Sequence, residues 1–240
     1  FEKSLYAYDD NPQKIAANAN SMAKEFATKE KILKDYNYLD KDNNLTKKGQ
    51  LLTQLNGYEQ IPVIDSITSG ELFGLSPVQL AGYAAGLANM ESVPQSDFKK
   101  KNNEFYMEDE LLSDMVYDLN SRIFEYNTDI YSPQNRELQL DTGAIQHVYK
   151  WAELNNKNED STANWKELYS GDLKKSIRDE GTLFREIVMT ADILKQMDEV
   201  AQAGYDISQK EADKKYYSFL SDTIKASLEL IDNPPANSKF

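Results

Sequence analysis

The sequence predicts an all-α fold, a multi-helix bundle carrying a small β-hairpin wing near the N-terminus. Three observations carry this. Apolar residues recur at helical spacing through most of the 240 residues. Helix start and stop signals fall at the ends of those stretches. Residues 38–52 alone read as two short strands around a polar turn, running straight into a helix. At this length the chain can bury a sizeable core, as one large domain or as a small one joined to a larger one.

Residues 13–36 place Ile15, Ala16, Met22, Ala23, Phe26, Ile32 and Leu33 at helical spacing, with no Pro or Gly after Pro12, which predicts an amphipathic helix. Residues 1–8 read as a separate short helical piece ahead of the Asp9-Asp10-Asn11-Pro12 breaker. Within 38–52, Asp40, Asp42, Asn44, Thr46 and Lys48 take odd positions of a 12-residue window and imitate a calcium-binding loop. The imitation fails where coordination is strictest, because Leu45 replaces the sharp-turn glycine and Leu51 the bidentate glutamate. The stretch is therefore read as a wing. Thr46 can cap a helix over 47–55, which Asn56-Gly57 ends.

From Tyr58 onward the helical segments lengthen. A short helix over 61–68 closes at Ser69-Gly70, and Ser76-Pro77 opens the next in the cap-then-proline pattern, through Leu80, Tyr83, Ala84, Leu87 and Ala88. Gly82 and Gly86 have the spacing of a membrane dimer motif, but no apolar span surrounds them, so close packing of two helices is expected. Residues 93–103, with Pro94 and the lysine run 99–101, read as a linker or loop with a solvated basic patch. A strong amphipathic helix follows over 108–126, through Leu111, Leu112, Met115, Val116, Leu119, Ile123 and Phe124, and Ser132-Pro133 breaks the chain after Tyr131.

Asp141 can cap a helix carrying Ile145, Val148, Tyr149, Trp151 and Ala152, in which His147 sits one turn from Trp151 and is read as packing. Residues 155–163 are polar enough for an exposed loop ahead of a short helix over 165–169. A long helix is expected over about 181–203, with Leu183, Phe184, Ile187, Val188, Ala191, Leu194, Met197 and Ala201 on its apolar stripe. Ser208 and Glu211 form a capping box for a last helix through Tyr216, Phe219, Leu220, Ile224, Leu228 and Ile231, which Asn233-Pro234-Pro235 stops.

The residue inventory narrows the chemistry. Cysteine is absent, which removes disulfides, thiolate metal sites and cysteine nucleophiles and fits an intracellular, cytoplasmic protein. His147 is the single histidine. No apolar run approaches the ~18–20 residues of a membrane span, and no leader pattern opens the chain, so no membrane partner is expected. A start at Phe1 suggests a processed or excised fragment. Neither a GxxxxGK[ST] nor a GxGxxG loop is present, and acidic pairs such as Asp179-Glu180 are sequence neighbours that do not face each other on a helix. The chain is read as non-catalytic by itself. Its net charge of −13 is the wrong sign for a stand-alone nucleic-acid binder.

Four blocks nonetheless fall in a specific order. Leu39-Asp-Lys-Asp-Asn-Asn-Leu-Thr-Lys-Lys-Gly49 resembles the "LDxDGxLTxKGR" element of superkiller-type DExH RNA helicases. Gly57-Tyr-Glu, followed by Ser69-Gly-Glu-Leu-Phe-Gly-Leu-Ser-Pro-Val-Gln-Leu80, resembles the "GYE…SGVFxxLSPEQL" run that opens their C-terminal helical domain, DSHCT. Val148-Tyr-Lys-Trp-Ala152 and Glu180-Gly-Thr-Leu-Phe-Arg185 are similar to that domain's "VYxWA" and "EGxLxR". Order and approximate spacing agree from about residue 31 to 230.

The resemblance implies a partial winged helix over 1–57 and a helical bundle over 58–240, forming the non-catalytic tail of an ATP-dependent RNA helicase. It would guide single-stranded RNA, or DNA in some relatives, at the exit of the motor and brace the RecA-like domains. ATP and magnesium would belong to those upstream domains, this chain itself holding no cofactor, and RNA-decay or processing factors would be its further partners. A "ratchet" helix starting at the EGxLxR block would lie along the strand, which assigns nucleic-acid contacts to Arg185 and Asp192, with Lys47 and Lys48 on the wing. The chain departs from the pattern at Val188-Met189, where a basic pair is expected, at Asn44 for the turn glycine and at Gln50 for an arginine. The alternative is an all-α protein-interaction scaffold that does not touch nucleic acid.

Overall fold

The computed structural model describes residues 12–94, 107–131, 135–170, 177, 179–231 and 234, with backbone alone for 12–21. Among them are nine α-helices and one two-stranded antiparallel sheet, so the chain is an all-α bundle with a small β element. The expected helical piece at 1–8, the lysine run 99–101 and the Ser132-Pro133 break lie outside the described residues. The chain divides into two compact units, Phe1–Gly49 and Gln50–Phe240, where the sequence reading divides at residue 57.

In the N-terminal unit, α1 (Pro12–Asp35) runs where its apolar spacing predicts a helix. Met22 and Phe26 on that stripe stand exposed. The hairpin is closed by a single bridge between Leu39 and Leu45, in place of two expected strands. Its turn is tied by Asp40, whose Oδ1 accepts from the Asp42 and Asn44 amides at 2.8 and 2.9 Å. Those bonds from Asn44, backbone first, hold the Asp40 carboxyl below its ordinary range. The carboxylate that imitates a calcium ligand is thus spent on backbone donors, as in an Asx-turn.

Helix α2 (Lys47–Leu52) opens under the expected cap, with Gly49 N donating to Thr46 Oγ1 at 3.0 Å. It ends three residues earlier than its sequence suggests. Gln54 N and Leu55 N turn to carbonyls three residues back, and the Thr53 hydroxyl takes the Gln50 carbonyl, which tightens and stops the last turn.

The second unit is built around α4 (Pro77–Ala88), preceded by α3 (Gln60–Ser69). Ser76 and Gln79 close a reciprocal capping box at its start. Every α4 residue from Leu80 to Ala88 is buried, so this helix is apolar on all sides and forms the core. Gly82 and Gly86 allow the close approach their spacing suggests. A Cβ at Gly86 would lie 2.9 Å from Ile145 Cδ1, and one at Gly82 3.0 Å from Leu112 Cδ2 and 3.1 Å from Tyr149 Cβ.

Around that core stand α5 (Glu110–Tyr126), α6 (Thr142–Lys157), α7 (Ser161–Ser170), α8 (Glu180–Ile207) and α9 (Glu211–Ile231). Helix α5 buries Leu112, Val116, Leu119, Ile123 and Tyr126, a narrower stripe than expected. Leu111 and Phe124, one position off it, stand exposed. Asp141 caps α6 as predicted, accepting from the Gly143 and Ala144 amides. Trp151 on α6 meets Trp165 on α7 edge-on, with ring centroids 5.3 Å apart.

Three sequence expectations are corrected. The expected loop over 93–103 begins in a strand, since β1 (Glu91–Pro94) pairs with β2 (Arg136–Gln139), Glu91 opposite Gln139 and Pro94 opposite Arg136; residues 95–103 lie outside the described residues. The strands hold because Asn127, in a π-helical turn Asn127–Tyr131 extending α5, accepts from Leu138 N and donates to Leu138 O. Residues 155–163 are not a loop but the end of α6, a three-residue joint and the start of α7. At the ends of the stretch two asparagines bind inward, Asn155 Nδ2 to Leu230 O and the following Asn164 Nδ2 to Asn155 Oδ1 and Asn158 O, while residues 156–160 between them are exposed as expected. Ser208 makes no capping box with Glu211; its hydroxyl donates back to the Gly204 carbonyl at the end of α8. Gly204 lets α9 cross there, since a Cβ would lie 2.5 Å from the Tyr217 ring.

Candidate nucleic-acid interface

Helix α8 is the longest element among the described residues, 28 residues, or about 42 Å at 1.5 Å per residue. Asp179 starts it, accepting from Thr182 N at 2.8 Å and from the Thr182 hydroxyl at 2.9 Å. Its inner face buries Leu183, Ile187, Ala191, Leu194, Met197 and Ala201, as the apolar spacing predicts. Phe184 and Val188, expected on that stripe, are 38% and 46% exposed. They sit at the edge of the helix surface, where α8 has no neighbour among the described residues to cover them.

The outward face is a continuous stripe. Gly181, Arg185, Val188, Asp192, Lys195, Glu199, Gln202 and Asp206 are all exposed and recur at alternating spacings of three and four. The stripe is mixed in sign, which is neither the basic groove of a strong polyphosphate binder nor a uniformly acidic wall.

Arg185 is exposed on this stripe and has no ion-pair partner among the described residues. Asp192 lies seven residues on, about 10 Å along the axis, and is also exposed. Its Oδ2 accepts from the Tyr58 hydroxyl at 2.8 Å and from Gln196 Nε2 at 3.1 Å. The Tyr58 hydroxyl also lies 3.0 Å from Met189 O, and Gln196 Oε1 accepts from Asn56 N at 2.8 Å. The Asn56-Gly57-Tyr58 turn is therefore clipped along two turns of α8. Burial, and then the Asp192 carboxylate, raise the Tyr58 phenol above its ordinary range. Sequence reasoning assigned Asp192 to the strand and missed Tyr58 and Gln196 as its holders; a tyrosine directly after Gly57 was the available signal.

Lys47 and Lys48 belong to the N-terminal unit. Lys47 is exposed. Lys48 is half-buried, donating from Nζ to the Tyr36 carbonyl at 3.1 Å and lying 4.5 Å above the Tyr38 ring. It braces the hairpin. The structure thus brings Arg185 and Asp192 together on one helix face.

On the inner side of α8, Glu186 faces His147 of α6, Oε2 to Nδ1 at 2.8 Å, both side chains almost fully buried. His147 is an interhelical partner as well as a packing residue. Tyrosine hydroxyls bind other carboxylates in the bundle: Tyr83 to Glu71, Tyr126 to Asp65, Tyr131 to Glu59 and Tyr149 to Asp109. A neutral donor can satisfy a carboxylate at low solvation cost, which suits a chain with many more acids than bases. No helix among the described residues is long and apolar enough to cross a membrane.

The chain is an all-α bundle whose long helix α8 leaves one stripe open to solvent. A family model described as the DSHCT (NUC185) domain matches residues 42–217, and the chain belongs to that family, the C-terminal domain of superkiller-type helicases. It is thereby a helicase-associated C-terminal module. No curated protein matches the chain.

Proposed function

We propose that this module guides single-stranded RNA at the exit of an ATP-dependent DExH motor and braces the RecA-like domains, in RNA unwinding linked to processing or decay. ATP and magnesium act in those motor domains. Helix α8 is the strand-facing element, and the observation that carries the reading is Arg185: an exposed guanidinium on the open stripe of the family's long helix, without an ion-pair partner among the described residues. An unpaired arginine can bind one phosphate bidentately. Asp192, steadied by Tyr58, would set where the strand passes; a carboxylate there accepts from base or ribose donors and repels phosphate. Val188 and Met189 supply no charge where relatives of the resemblance place a basic pair, so each remaining contact weighs more.

The test is RNA-stimulated ATP hydrolysis by the module joined to its motor domains. Arg185→Ala and Asp192→Ala are each expected to lower stimulation while leaving basal hydrolysis intact, and stimulation unchanged in both variants would remove the assignment. A protein-interaction scaffold is the second reading, favoured by the net charge of −13 and by the exposed Phe184 and Val188.

A further inference from the structure

Asn56-Gly57 is the only asparagine–glycine pair in the chain. It forms the crest of the turn that is clipped to α8, and both residues are exposed. The bonds that hold the turn lie on either side of the peptide bond between them. Before it, Asn56 N donates to Gln196 Oε1 at 2.8 Å and the Leu55 carbonyl accepts from Gln60 Nε2 at 2.6 Å. After it, the Tyr58 hydroxyl donates to Asp192 Oδ2 at 2.8 Å. Neither the Asn56 side-chain amide nor the Gly57 N–H has a hydrogen-bond partner among the described residues.

Those two groups can react with each other. The main-chain nitrogen that follows an asparagine can attack its side-chain carbonyl, and a hydrogen bond on that nitrogen or a side chain crowding it slows the attack. Gly57 has neither obstacle. It sits at φ +80°, and a Cβ built on it would meet no atom within 4 Å. Asn120-Ser121 makes the contrast, because it lies inside α5, where the Ser121 N–H belongs to the helix.

We propose that Asn56-Gly57 is a self-modification site, converting slowly to isoaspartate and thereby releasing the turn from α8. The Gly57 nitrogen bonds to Asn56 Cγ while the Cγ–Nδ2 bond breaks. Nδ2 leaves as ammonia, carrying the proton given up by Gly57, and a succinimide ring is closed. Water then opens the ring. Attack at Cγ yields aspartate; attack at the main-chain carbonyl yields isoaspartate, in which the chain runs on through Cβ and Cγ and is one methylene longer.

The place of that methylene gives the reaction its consequence. Asp192 and Gln196 stand about one turn apart on α8, so they fix the span between Asn56 N and the Tyr58 hydroxyl. The bond from Gln60 to Leu55 fixes a second span across the same point. The lengthened chain no longer matches either. The product also carries a carboxylate where a neutral amide stood, beside a network in which Gln196 joins Asn56 N to Asp192. Like charges there favour opening. Deamidation therefore loosens the clip in one direction only and frees Asp192 from Tyr58, whether or not α8 touches RNA.

The experiment incubates the 240-residue chain at neutral pH beside a synthetic peptide of residues 54–61. Both are followed by peptide mass spectrometry and by enzymatic methylation of isoaspartate. The fragment holding Asn56 is expected to show the mass increment of amide-to-acid conversion and to accept methyl groups, at a rate within about tenfold of the peptide's, with Asn120 unchanged. Conversion of the peptide while Asn56 of the folded chain stays intact would overturn the proposal.

The release is read separately. Converted chain, isolated by anion exchange, is expected to exchange its Asn56 amide roughly five- to tenfold faster, as the loss of one hydrogen bond implies. Asn56→Asp adds the charge without the methylene and is expected to keep most of that protection. Protection unchanged after conversion, or lost equally in Asn56→Asp, would overturn release by a lengthened chain.

Discussion

Helices α4 and α8 are neighbours in the same bundle with opposite relations to water. From Leu80 to Ala88, α4 is buried on every side; α8 buries its inner stripe and leaves a row of residues from Gly181 to Asp206 in solvent. From Leu80 to Ala88 α4 is small where α5 and α6 press in and apolar elsewhere, apart from the Tyr83 hydroxyl, which donates to Glu71. On the α8 stripe packing demands little: Asp192 ties down the Asn56-Gly57-Tyr58 turn, whereas Arg185, with no ion pair among the described residues, is a residue the fold does not need. The contrast separates what holds the bundle together from what it presents to a partner.

The largest effects are expected in the core. Trp151 is fully buried against Trp165, and Trp151→Ala is expected to cost about 3–5 kcal/mol by leaving a cavity. Chemical denaturation followed by circular dichroism measures it. A cost below about 1 kcal/mol would show a core far more able to collapse than close packing allows. Gly86→Val on α4 comes next, at about 1–3 kcal/mol, because its side chain must displace Ile145. An equal cost for a valine at Gly181 on the α8 stripe would erase the contrast between the helices.

A smaller effect is expected where the Asn56-Gly57-Tyr58 turn grips α8. Tyr58→Phe removes a hydroxyl from Asp192 and Met189 O and is expected to cost about 1 kcal/mol, with faster amide exchange around Asn56 as its local signature. Unchanged exchange there would mean the clip is not holding the turn.

Alkaline pH tests the tyrosine–carboxylate pairs together. Burial, then the neighbouring Asp109, pushes the Tyr149 phenol up to about 12, and Tyr58, Tyr83 and Tyr131 are raised for the same kinds of reason. A raised folded-state pKa means the native state holds the proton more tightly. The stability it contributes is complete below the unfolded value near ~10 and drains away as pH climbs from there through 12. Phenolate absorbance from these residues should therefore rise together with loss of helicity. Their ionisation near pH 10 with helicity intact would contradict the pairing.

Much of the bundle was legible because helix signals are local. Ser76-Pro77, Asp141 and the long apolar stripe of 181–203 each declare a helix within a few residues, and all three helices are present. The misses share the opposite property. Strand β1 is four residues including Pro94, and its partner lies more than forty residues along the chain, so no local pattern announces it. Residues 155–163 look solvated, and 156–160 are exposed, but Asn155 and the neighbouring Asn164 donate to carbonyls and hold the stretch within the ends of α6 and α7. In the candidate site, Arg185 and Asp192 came from motif position. Tyr58, more than 130 residues from Asp192 in sequence, depends on tertiary approach and left no pattern to read.

The smallest effect on stability is expected at Arg185, where Ala should change it by less than about 0.5 kcal/mol. There the largest effect on function should fall. The most direct measurement is single-stranded RNA affinity, as a function of salt, for the module joined to its motor with and without Arg185→Ala. Loss of roughly tenfold in affinity at low salt, with the salt slope shallower by about one phosphate contact, is the predicted result. Identical affinity and slope for the two proteins would contradict a strand-facing role for the open stripe of α8.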